Sequence, residues 1–148
     1  MKGFKFRAQA ALDLRDRELA DAQRQLARAE EVRDVARRRL EEAHFAAAQA
    51  RVQATEAHRT SSDASALQWY RFWIIRLDHE RNAQAAVLAA REKDVAQATA
   101  ACMLAKQKRE SLDKFRKKAQ SAHEAAQQAA EMKVIDELAA RRFVAQGS

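Results

Sequence analysis

The sequence predicts an all-α fold, a long two-helix antiparallel coiled-coil hairpin whose second helix is longer than the first. Three observations point there. The 148 residues contain no Pro, and the two Gly, Gly3 and Gly147, stand at the ends, so the interior lacks the residues that compact folds use for turns. Ala supplies 36 residues, about half of the apolar set; it buries little surface and is the best helix former. Charged residues make up 33%, above the usual quarter or so. Thin, solvent-bathed helices satisfy all three, whereas β-sandwiches, dinucleotide-binding folds and most enzymes do not.

The chain reads as a single coiled-coil domain over 1–148, with a first helix at about 5–58, a turn at about 59–65 and a second helix at about 66–144. In the first helix Leu12, Leu19, Leu26 and Leu40 share one heptad position, broken by Arg33. Ala8, Ala22, Ala29, Ala36, Ala43, Ala50 and Ala57 share the other, broken by Arg15. This is the alternation of the two seam positions of a coiled coil, and both Arg can snorkel out of a narrow seam.

The pattern weakens at His58–Ser65, where Ser61, Ser62 and their Thr, Asp and Ser neighbours favour caps and turns. Asp63 or Ser65 is placed to cap the second helix. That helix carries Leu67, Trp69, Tyr70, Trp73, Ile74 and Leu77, then Leu88, Val95, Ala98, Cys102, Ala105 and Leu112. Beyond Leu112 the apolar positions Phe115, Ala119, Ala122, Ala126 and Ala129 suggest a stutter that locally relaxes the supercoil. Cys102, the only cysteine, falls on the apolar stripe; no intrachain disulfide is possible, and a reducing compartment is the default expectation.

A short polar connection implies antiparallel neighbours, and a turn near Ser62 makes partner numbers add to about 125. Met1 then lies opposite His123 or Glu124, and the remainder of the second helix overhangs. The overhang carries Met132, Val134, Ile135, Leu138, Phe143 and Val144, apolar groups that want a partner surface unless the tail is frayed.

Net charge is +7, densest at Lys106, Lys108, Arg109, Lys114, Arg116, Lys117 and Lys118. This run faces roughly 7–19 and its Asp13, Asp16 and Glu18, so cross-helix pairing absorbs part of it. No apolar run is long enough to span a membrane, and the basic N-terminus lacks the apolar stretch of a secretory signal. An interior without Gly excludes phosphate-binding loops. His44, His58, His79 and His123 make no metal-ligand pair, so no catalytic residue, cofactor or metal is expected, and the chain reads as a binding protein rather than an enzyme. The densest feature is aromatic: Trp69, Tyr70, Phe72 and Trp73 stand beside the turn. A seam of small residues cannot bury all four, so they form a plug at the hairpin end, a protein-binding hot spot, or both.

At these residues the chain resembles the FliJ family, a soluble component of the bacterial flagellar type III export apparatus. Phe4-Lys5-Phe6-Arg7, followed by Leu12-Asp13-Leu14-Arg15 and Glu18, is similar to the start of many members. Leu67, Tyr70, Trp73, Ile74 and Leu77 match the aromatic block of the family's second helix, although Glu80 and Arg81 follow where small or apolar residues are expected. Met132-Lys133-Val134-Ile135-Asp136-Glu137-Leu138-Ala139 resembles the family's ending. The resemblance implies a coiled coil similar to the central stalk of rotary ATPases, whose end bearing both termini enters the export ATPase hexamer. It further implies contact with the cytoplasmic domain of the export-gate membrane protein and with export chaperones. The implied gate contact is Tyr70, Trp73, Ile74 and Leu77. The implied ATPase-ring contact is Met132, Ile135, Asp136, Glu137, Leu138, Arg142 and Phe143. Location is then cytoplasmic and bacterial, peripheral at the inner membrane only through partners.

Rival readings are the equivalent stalk of a virulence-type secretion system, a generic coiled-coil scaffold, a parallel dimer of one continuous helix, and nucleic-acid binding through 106–118. No nucleic-acid module accompanies the basic run, and its aromatics are not interleaved with it, so no specific nucleic acid is expected.

Overall fold

The computed structural model describes residues 3–60 and 63–147. It contains two helices, α1 (Gln9–Thr60, 52 residues) and α2 (Ala64–Gly147, 84 residues), with no strand among the described residues. The all-α hairpin with a longer second helix is therefore what forms. Its packing divides into two units, Asp21–Met103 and Met1–Ala20 with Leu104–Ser148, described in turn.

In the first unit, α1 ends at Thr60, two residues later than expected. The Thr60 hydroxyl donates to the Glu56 carbonyl (2.9 Å), satisfying a last-turn acceptor, and His58 and Arg59 complement the negative end of the helix dipole. α2 starts at Ala64 because Asp63 caps it: its carboxylate accepts from the Ser65 amide (3.0 Å), while its carbonyl accepts the first helical bond from Leu67 (3.2 Å). Asp63 is thus the cap and Ser65 its target. The expected turn centre at Ser61 and Ser62 lies outside the described residues. The helices run antiparallel, with Arg51 of α1 on both carboxylate oxygens of Asp78 of α2 (2.8 and 2.7 Å).

The seam of this unit follows the heptad. Ala36, Ala47 and Ala50 are buried, and Ala22, Leu26, Ala29, Arg33, Leu40, Ala43, Ala54 and Ala57 are half-buried. From α2 come Leu67, Ile74, Leu77, Leu88, Val95, Ala98 and Cys102, all half-buried. Arg33 snorkels to the adjacent Asp34 (3.1 and 3.0 Å). Arg81, Gln84 and Arg91 occupy seam positions on α2 as well. A partner helix lined with Ala leaves room for their stems, whereas a Leu-lined one would not.

In the second unit, α1 begins at Gln9 rather than near residue 5. Residues 3–6 are not helical, and Phe4 and Phe6 are half-buried while Lys5 and Arg7 are exposed. This period of two belongs to an extended chain, which presents alternate side chains to one side. It sends both rings onto α2: Phe4 against His123 (5.6 Å between centroids) and Phe6 against Phe115 (5.8 Å). A helical start would have turned the two rings apart by about 200°.

Here too the helices are antiparallel, with Asp16 on Arg109 (2.6 Å), a pairing whose numbers add to the expected value of about 125. The expected stutter near Leu112 is absent. Ala105, Arg109, Leu112, Arg116, Ala119 and His123 keep one heptad, buried or half-buried, whereas Phe115, Ala122 and Ala126 are exposed. Reading the stripe by apolar identity failed because two Arg and one His hold seam positions. Phe115 lies off the seam, where the arm's Phe6 meets it. From 128 to 147 every residue of α2 is exposed, so the overhang begins about one helical turn later than expected, because Phe4 meets His123 and Gln127 is still half-buried.

Candidate functional site

Two surfaces stand out, one in each unit. Beside the turn, the aromatic block splits by helical phase. Tyr70, Ile74 and Leu77 recur at i, i+4, i+7 and lie in the seam, half-buried. Trp69, Phe72 and Trp73 fall on the outer surface, with Trp69 57% and Phe72 61% exposed and Trp73 at the margin. Trp69 and Trp73, one turn apart, stack nearly parallel (5.8 Å, 10°), and Tyr70 meets Trp69 edge-on (5.1 Å). Arg76 lies over the Trp73 ring (5.9 Å), a contact worth about 0.5–1 kcal/mol at an exposed site. The result is an aromatic ledge on the outer surface, joined to the seam through the Trp69–Tyr70 contact. A groove beside it is lined by Ala54, His58, Leu67, Tyr70 and Ile74. The four residues expected to act together thus divide into one outward ring, Trp73, and three seam residues. Trp69 and Phe72, outside the expected set, present more surface. Their phase was readable, since 69, 72, 73 and 76 share one helical face.

The second surface is the overhang. Met132, Ile135, Leu138, Phe143 and Val144 are all more than half exposed, and Asp136, Glu137 and Arg142 are exposed among them. All seven expected residues therefore lie on uncovered helix. Ile135, Leu138, Ala139, Arg142, Phe143 and Gln146 line one shallow groove. The base of the overhang is tied down by the Phe4–His123 and Phe6–Phe115 contacts, a tether that the expected helix start near residue 5 missed, although the Phe-Lys-Phe-Arg alternation is a trace of it.

Charge in this unit is mostly solvated. Lys106, Lys108, Lys114, Lys117 and Lys118 are exposed, with Lys117 beside Asp113 (3.2 Å). Among the described residues, Arg109 is the member of the basic run with an ion pair to α1. The hydrogen bond to Asp16, and then the Asp16 charge, hold its guanidinium above its ordinary value. Such a cation contributes below its unfolded value and loses the contribution only as pH climbs through the raised one, so Arg109 stays charged at every ordinary working pH. The pair sets register more than it adds stability.

Among the described residues no group of His, Cys, Asp and Glu is arranged to hold a metal ion, and no helix is long and apolar enough to cross a membrane. The arrangement offers contact surfaces on helix faces. No curated protein sequence matches the chain. The family described as flagellar FliJ protein matches residues 4–148, nearly the whole length, from the Phe4 of the arm through the overhang. The chain therefore belongs to the FliJ family, and its role is in flagellar protein export.

Proposed function

We propose that this protein acts in the flagellar export apparatus as a stalk. The end bearing the overhang docks in the export ATPase ring, and the aromatic ledge meets the cytoplasmic domain of the export-gate membrane protein. Export chaperones are further partners, and the protein works in the cytoplasm, at the inner membrane only through those partners. The observation that carries this reading is the uncovered apolar stretch of α2, in which Met132, Ile135, Leu138 and Phe143 face solvent with charged Asp136, Glu137 and Arg142 around them. Apolar side chains displayed on a continuing helix are a recognition element of the helix-in-groove kind. The ledge supports the second contact, because Trp and Tyr dominate binding hot spots and Trp73 stacks on the exposed Trp69.

The test is turnover by the cognate export ATPase with the full chain and with a chain ending near Glu124. Stimulation by the full chain alone supports docking through the overhang. Equal stimulation by both assigns the contact elsewhere, and stimulation by neither removes the ATPase from the reading.

A further inference from the structure

We propose that the overhang is also a self-complementary interface, at which a second copy of this chain binds antiparallel. The stripe is not a continuation of the intrachain seam. Prolonged past Ala119 and His123, the seam heptad meets Ala126, Ala130, Lys133, Glu137 and Ala140. Met132, Ile135, Ala139 and Arg142 stand two positions later, about 200° around the helix. A partner on the stripe therefore approaches from the side away from the hairpin.

The groove supplies the lock. Ile135, Leu138, Ala139 and Arg142 stand at i, i+3, i+4 and i+7, the four-residue hole that a coiled-coil knob enters. With a twofold axis level with Glu137, the partner's Ile135 lies opposite that hole, and Ile135 lies opposite the partner's equivalent hole. One residue thus acts as knob while it helps form the hole, as an isologous contact requires. Small Ala139 opposite Ile135 lets the helices approach closely.

Charge selects the direction. The same alignment sets Glu131 beside the partner's Arg142, twice by symmetry. A parallel alignment would set Arg142 against its own copy on the stripe. Among the described residues Glu131 and Arg142 make no ion pair within the chain, so both are available. The contact covers about five helical turns, below a standard interface, so the expected affinity is micromolar. Pairing hides the stripe assigned above to the ATPase, although the pairing itself does not rest on that assignment.

Sedimentation velocity on the full chain from about 1 to 200 µM tests it. The expected result is a concentration-dependent dimer. Ile135→Glu weakens it by about a hundredfold or more, since one substitution removes both knobs. Glu131→Arg and Arg142→Glu each weaken it by about tenfold, and the double variant Glu131→Arg/Arg142→Glu regains most of the loss. Circular dichroism confirms that each variant keeps its helices, as expected for changes at exposed positions. A monomer throughout the range, a dimer indifferent to Ile135→Glu, or no recovery in the double variant would overturn the proposal.

Discussion

Leu12→Ala probes the joint from which the overhang departs. Leu12 is 3% exposed, whereas Leu14, two residues on in the same helix, is 49% exposed. Both substitutions put the best helix former at a helical position and change intrinsic propensity equally, so their difference isolates packing. Three side-chain carbons leave the seam at about 0.8 kcal/mol each, or about 2.4 kcal/mol. A residual cavity adds to this, but a two-helix seam open to solvent on both sides collapses easily, so the total stays near 2.5–3 kcal/mol, the low end for Leu→Ala. Leu14→Ala should cost under about 0.5 kcal/mol. At roughly 2–4 °C per kcal/mol for a chain of this size, the thermal midpoints should separate by about 5–10 °C. The assay is helical circular dichroism against temperature and urea for the two variants side by side. Equal midpoints would show that Leu12 is not packed as described, and would undo the seam assignment at this end of α1.

Four further outcomes are expected. Asp63→Ala should cost about 1 kcal/mol in urea unfolding, because the Ser65 amide loses its acceptor, whereas Asp63→Asn should keep most of it. Phe4→Ala/Phe6→Ala should free residues 3–8 to exchange amide hydrogens faster and cost about 1–2 kcal/mol, with helicity retained; protection unchanged from the parent would count against the arm. Trp73→Ala should weaken binding to the export-gate domain, measured by calorimetry, at unchanged helicity, since the ring is outside the seam; a large loss of helicity would return it to a packing role. A chain ending near Glu124 should unfold at the parent's midpoint while losing ATPase stimulation, because exposed residues 128–147 contribute little to the fold.

The two-helix plan, a cap at Asp63 or Ser65 and an apolar overhang at the end of α2 were legible in the sequence. They follow from local causes: a heptad of Leu and Ala, a Ser/Thr-rich break and the counting that a hairpin imposes. The candidate sites were legible only by neighbourhood. The sequence marked the aromatic block but grouped Tyr70, Ile74 and Leu77 with Trp73, although about 100° of helical phase separates the seam residues from the displayed rings. It marked the overhang, whose stripe lies on a different face from the seam.

What the sequence determined by itself was therefore periodicity, because helical phase is a property of spacing along one chain. Which side chains fill the seam was decided by the tertiary structure. Arg109 and Arg116 hold seam positions through their long aliphatic stems, with the Arg109 guanidinium reaching Asp16 of α1, and His123 holds one against the Phe4 ring. Phe4 and Phe6 lie outside the helix, where their rings meet His123 and Phe115 of α2. Spacing alone does not show what either group packs against, since that depends on residues about a hundred positions away.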